Sequence, residues 1–190
     1  MPSKSVSVLT SVIAGLKDIS QLYIMKGLEN SNNLLLYIIS NIIAVFMLWL
    51  SWKSVRLSRL LFFLILAWAS WTNWRTALLS PDTYLGEADL SFFKFYRNFI
   101  LGWFSQHILL AVGFIATCQA FISLAMLGRG NWLTIGCWGG IAFLLAIAPF
   151  GVGSAFPCTI ILAAGIYRIT RIADQDYIWK KRGSLSILHP

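Results

Sequence analysis

Read by polarity alone, the chain divides into an interrupted first stretch, five apolar runs and a charged tail. In the first 33 residues, Lys4, Lys17, Asp18 and Lys26 recur too often for a membrane crossing. Val8, Val12, Leu16, Ile19 and Tyr23 nevertheless repeat at helical spacing, with Leu9 and Ile13 beside them. Such a pattern predicts an amphipathic helix lying in the membrane interface. No compact apolar core with a small-residue cleavage site follows, so a removable signal peptide is not expected. A polar break, Glu29 to Asn33, ends this segment.

The first apolar run, Leu34 to Trp52, rises about 28 Å at ~1.5 Å per residue, which matches the hydrocarbon core of a bilayer. Asn41 near its middle is expected to bond to a neighbouring helix, because an unpaired amide in lipid is costly. Lys53, Arg56 and Arg59 mark the next loop, and Leu57 to Trp74 is the second run. Trp68, Trp71 and Trp74 are interfacial anchors, with Asn73 and Arg75 at the same level. Ser80 to Ser91 is a polar connection carrying Asp82, Glu87 and Asp89. Leu90 to Phe104 is too charged to cross and predicts a short interfacial helix, with Lys94 and Arg97 reaching toward phosphate level. Three more crossings are expected: about Gln106 to Leu127, Trp132 to Phe150, and Ala155 to Arg171. Gly128-Arg129-Gly130-Asn131 and Gly151-Val152-Gly153-Ser154 are the breaks between them. Gly136 and Gly140 form a GxxxG pair, which serves either close packing inside the bundle or a dimer face.

The expected fold is therefore all-α. It is a polytopic membrane bundle of about five transmembrane helices, with an amphipathic N-terminal helix and a short interfacial helix. The units are an interfacial segment (1–33), the bundle (34–172) and a basic tail (173–190). Composition agrees: 58% of residues are hydrophobic and 12% charged, against roughly 25% charged in soluble domains. Net charge is +8, but the cations cluster beside apolar runs, which points to orientation in a bilayer and not to nucleic acid. Alternation of five spans collects Lys53, Arg56, Arg59, Arg129, Arg168, Arg171 and the tail cations Lys180, Lys181 and Arg182 on one side. The positive-inside rule makes that side, and the C-terminus, cytoplasmic or stromal. A bacterial inner membrane or a thylakoid-type membrane fits.

Little conventional chemistry is written in the chain. Cys118, Cys137 and Cys158 lie inside apolar runs without CxxC spacing, so they read as small buried hydrophobes and not as a metal or disulfide framework. The two histidines are His107 and His189, and His189 is in the polar tail, so a paired-histidine haem site across two helices is not expected. One polar concentration stands at the outer interface: Asn73, Arg75, Tyr96, Arg97, Gln106 and His107. A bend near Gly102-Trp103 would let Tyr96, Arg97 and His107 face one volume, walled by Trp71, Trp74 and Trp103. A quinone headgroup or a lipid headgroup needs such donors beside an apolar slot. His107 has a second reading, as a ligand to a metal or to a pigment of a neighbouring subunit. Candidate bound groups are thus a quinone, a lipid or a pigment. The expected partners are the bilayer and other membrane subunits.

From about Arg56 to Ile172 the order of landmarks resembles the DoxX/DoxD family of small bacterial membrane proteins. The residues carrying the resemblance are Trp68-Ala69-Ser70-Trp71, Ser80-Pro81, Phe95-Tyr96-Arg97-Asn98-Phe99, the run Ser123 to Arg129, and Phe150-Gly151-Val152-Gly153-Ser154. Relatives in the DoxD branch are associated with thiosulfate:quinone oxidoreduction. The resemblance therefore implies a quinone-facing membrane subunit of such an enzyme. Two departures favour an accessory, structural subunit of a respiratory or photosynthetic electron-transfer complex, without catalysis of its own. Where the family carries a Glu, this chain reads Thr117-Cys118-Gln119, which makes Gln119 a helix-packing residue. The run Leu34 to Trp52 and the N-terminal segment are additional to a four-helix core.

Overall fold

A computed structural model describes residue 28, residues 31–91 and 93–172, and residue 178. The expected amphipathic helix and the basic tail lie almost wholly outside the described residues. Among those described, every regular element is helical. The long helices are α1 (Ser31–Lys53) and α2 (Val55–Leu79). A 3-10 turn (Pro81–Gly86) leads to the short α3 (Glu87–Leu90) and α4 (Lys94–Phe99). A wide turn, Ile100–Phe104, then enters α5 (Ile108–Leu127), which is followed by α6 (Gly130–Ile147). The irregular segment Ala148–Ser154 precedes α7 (Cys158–Ile172).

Among the described residues, four helical segments are long and apolar enough to cross a membrane: α1, α2, α5, and α6 with its continuation to Ser154. The fifth apolar run forms the shorter α7, of 15 residues. Its start is taken up by the irregular backbone around Gly151 and Ala155, both at positive φ. Helix boundaries also differ from expectation where caps decide them. The α1 helix begins at Ser31, so the polar Ser31-Asn32-Asn33 forms its first turn, where backbone N–H groups lack helical partners. At Ser54 the hydroxyl accepts from Leu57 N, an N-cap that starts α2 at Val55. Arg56 and Arg59 consequently sit in the first turns of α2 and not in a loop.

Two clusters form the interior. Met47, Phe62, Met126, Cys137 and Ile166 belong to the larger, where α1, α2, α5, α6 and α7 meet. Ala77, Ala88, Ile100, Phe104, Ile108 and Val112 make the smaller, under the connection between α2 and α5. Small residues bring helices together. A Cβ on Gly136 would overlap the Ala125 side chain, and one on Gly140 would meet Ile166 at 3.1 Å. The GxxxG pair thus packs α6 against α5 and α7 within one chain. Gly113 leaves room for the Trp74 ring, which a Cβ would meet at 2.9 Å. Hydroxyls tie α2 to α5 at two depths, Ser70 Oγ donating to Ala116 O at 2.7 Å and Ser123 Oγ to Phe63 O at 3.2 Å. In lipid, such packing and polar contacts replace the hydrophobic effect between helices.

At the end of the bundle where α5 finishes, the Arg59 side chain is 1% exposed. Its Nε donates to Met126 O at 2.8 Å, and Nη2 donates to Gly128 O. These carbonyls end α5 and have no helical donor, so a cation from α2 satisfies them.

Candidate functional site

Between α2, α5, α6 and α7 lies a chamber of about 560 Å³. That is within the roughly 300–1,000 Å³ of small-molecule sites. Phe62, Leu66, Ile115, Phe143 and Leu162 give it apolar walls, and Asn73, Gln119, Tyr84, Glu87 and Thr159 bring polar groups to it.

The polar groups on the α2–α5 side form a chain. Asn73 Nδ2 donates to Gln119 Oε1 at 2.8 Å. Tyr84 Oη lies 3.1 Å from Asn73 Oδ1 and 3.2 Å from Asn73 O, and donates to them. Gln119 is buried, and its amide nitrogen makes no hydrogen bond to the described residues. Burial raises the Tyr84 hydroxyl pKa, a hydrogen bond with Thr76 opposes the shift, and the charge of Glu87 adds to it.

Glu87 lines the chamber from the α2–α5 connection. Its carboxylate lies so close to Gly153 that a Cβ there would overlap it. Burial pushes the Glu87 carboxyl above the usual carboxylate range, since a low dielectric disfavours the charged form. No ion-pair partner for it exists among the described residues.

On the opposite wall, Thr159 Oγ1 is buried without a hydrogen-bond partner. A helical threonine ordinarily bonds the carbonyl four residues earlier. Here that carbonyl, Ala155 O, already accepts from Cys158 N at 2.9 Å and Asn41 Nδ2 at 3.2 Å. Asn41 also donates to Tyr37 O at 2.9 Å, so it joins α1 to the backbone before α7.

The interfacial residues each make contacts of their own. Tyr96 Oη donates to Ala146 O at 3.2 Å, and its ring meets Phe150 edge-on at 5.0 Å. Arg97 pairs with Asp89 at 3.5 Å, both side chains largely exposed. His107 stacks on Trp103 at 4.7 Å, and its Nδ1 lies 2.9 Å from Trp103 O. Arg75 is exposed on α2, and Trp74 packs over Gly113. The expected bend is present at Gly102 (φ −94°, ψ −110°). It turns Phe99, Ile100 and Phe104 toward the chamber, while Trp74, Arg75, Tyr96, Arg97, Trp103 and His107 stay outside its lining.

Sequence reasoning overlooked Tyr84, Glu87 and Thr159. One signal was available: the connection also carries Tyr84, Leu85, Ala88 and Leu90, which a solvated loop does not need. Among the described residues no group of three or more His, Cys, Asp or Glu could hold a metal ion. Comparison with family models, curated proteins and solved structures gives no match.

Proposed function

We propose that the chain is a DoxX-like integral membrane protein that holds a lipid-soluble, quinone-type molecule in its bundle, as the quinone-facing subunit of an electron-transfer complex. The observation that carries this reading is the chamber: apolar walls with neutral donors at opposite sides. Gln119 Nε2 and Thr159 Oγ1 are free to donate, and a quinone offers two carbonyl acceptors on a flat apolar ring. In an apolar site each unmatched donor costs roughly 1–3 kcal/mol, so a ligand that accepts from both is favoured over an alkane. In this reading α7 is the fifth crossing, the end bearing Lys53, Arg129 and Arg171 is cytoplasmic or stromal, and the membrane is a bacterial inner or thylakoid-type one.

A second reading, an accessory structural subunit of a respiratory or photosynthetic complex, is favoured by one feature. The first half of α1 exposes Leu35, Leu36, Ile39 and Ile42 on several faces, and the described residues do not cover them. Tryptophan fluorescence of the purified protein, titrated with a short-chain quinone in detergent, separates the readings. Saturable quenching, weakened about tenfold in Gln119→Leu, is the expected result. Quenching that never saturates, or is equal in both proteins, would remove the quinone reading and leave the accessory one.

A further inference from the structure

The described charges are unevenly distributed: one end of the bundle mixes acids with Arg75, Lys94 and Arg97, and the other carries only cations. Asp82, Glu87 and Asp89, the described acids, all lie in the connection between α2 and α5. Lys53, Arg56, Arg59, Arg129, Arg168 and Arg171 are at the opposite helix ends. Most have an occupation there. Arg59 caps α5, Arg171 donates to Tyr167 Oη at 2.9 and 2.6 Å, and Arg56 and Arg129 have interactions of their own. Arg168 differs. Its guanidinium carbon lies 4.3 Å above the centre of the Trp52 ring, and its Nε is buried with no acceptor.

We propose that Arg168, stacked on Trp52 at the end of α1, binds the phosphodiester headgroup of an anionic phospholipid. This goes beyond the chamber and does not depend on it. Stacking uses the face of the guanidinium and fixes its plane. The N–H donors radiate in that plane; with Nε buried, the Nη1–Nη2 end is the edge left for a phosphate, and that pair can bind it bidentately. Trp52 is 66% exposed. The last turn of an apolar helix faces lipid there, so the anion arrives laterally, attached to acyl chains. The C-terminal dipoles of α1 and α7 supply an alternative reason for a cation at this end. They do not account for the stacked pose of Arg168, whose Nε meets no acceptor among the described residues.

Native mass spectrometry of the full chain, extracted from vesicles of phosphatidylglycerol and phosphatidylcholine in equal amounts, tests the site. Retained phosphatidylglycerol should exceed phosphatidylcholine, and Arg168→Gln should lower that excess about fivefold, the scale of one surface cation against an anionic lipid. Arg168→Lys, which keeps charge without the fork, should fall between. Arg171→Gln, whose guanidinium is held by Tyr167, should leave the excess unchanged. Should Arg168→Gln fail to insert, Trp52→Leu, which removes the stacking platform, should reproduce the loss. Glycerol phosphate in solution should not displace the lipid. Displacement would make soluble phosphate the ligand and overturn the lipid proposal. An undiminished excess in both Arg168→Gln and Trp52→Leu would overturn the site itself.

Discussion

Replacing Arg59 tests how the bundle is held together. Its guanidinium donates to two carbonyls at the end of α5, Met126 O and Gly128 O, from a nearly fully buried position. Arg59→Leu removes both donors and leaves two buried carbonyls without partners. A hydrogen bond to a charged group contributes about 1.5–3 kcal/mol, and an orphaned buried acceptor costs a further fraction of that. The leucine recovers part of the loss through its own packing. The expected destabilisation is about 3–4 kcal/mol. Arg59→Lys keeps a charge, but one ammonium cannot fork to two carbonyls held in fixed geometry, so it should lose about half as much. Unfolding in mixed detergent micelles, followed by helical circular dichroism, measures both. The order should be wild type, lysine, leucine, in clearly separated steps. Coincident midpoints for all three proteins would refute the capping role and return Arg59 to an ordinary interfacial cation.

Three other outcomes follow from the same contacts. Gly136→Val must push α6 from Ala125 and should destabilise by about 1–3 kcal/mol in the same unfolding assay, whereas Gly86→Ala, which meets open space, should stay within about 0.5 kcal/mol. The raised Glu87 carboxyl binds its proton more tightly in the folded than in the unfolded chain. Its stabilisation is therefore complete below the ordinary carboxyl range and is lost as pH rises from there through the folded value; Glu87→Gln should flatten that part of the stability–pH curve, and an unchanged curve would count against a buried carboxyl. Reporter fusions at Ser54 and Gly183 should fall on one side of the membrane and a fusion at Glu87 on the other, because four crossings separate the first two if α7 spans; opposite sides for Ser54 and Gly183 would show that α7 does not.

The sequence made the helices legible and left their neighbours obscure, for a physical reason. In α5 nearly every residue is apolar, so no polar face marks which side meets protein and which meets lipid. Gln119 is the most polar exception, beside the hydroxyls of Thr117 and Ser123, and it reaches Asn73 across the α2–α5 interface. GxxxG spacing marked Gly136 and Gly140 as close-packing positions, but spacing alone could not choose between a partner helix and a second molecule. Cations were read from position along the chain, which placed Arg59 in a loop. Its burial depends on the end of a helix 67 residues away, a non-local fact. Glu87 was read as an outer-loop acid for the same reason, since only the fold-back over Gly153 encloses it. Gly151 was recognisable as a turn, whereas Ala155 at φ 53° was not, because alanine has no preference for that region.

The two ends of the bundle do different work, and the volume of the chamber shows why they must. Close packing at native density leaves few voids larger than a water molecule. The chamber, of about 560 Å³, is far larger than such a void and opens to the outside of the bundle. In the membrane the chamber must therefore be filled, by ligand or by acyl chain. The helices around it must also be held apart against collapse onto each other. Contacts at the other end and along α2–α5 supply that hold: the Arg59 cap, the Gly136–Ala125 approach, and the Ser70 and Ser123 hydroxyls. Where these tight contacts stop, the chain changes character to short bent segments, a left-handed alanine and a half-buried carboxylate. Such segments exchange conformations at lower cost than packed helices.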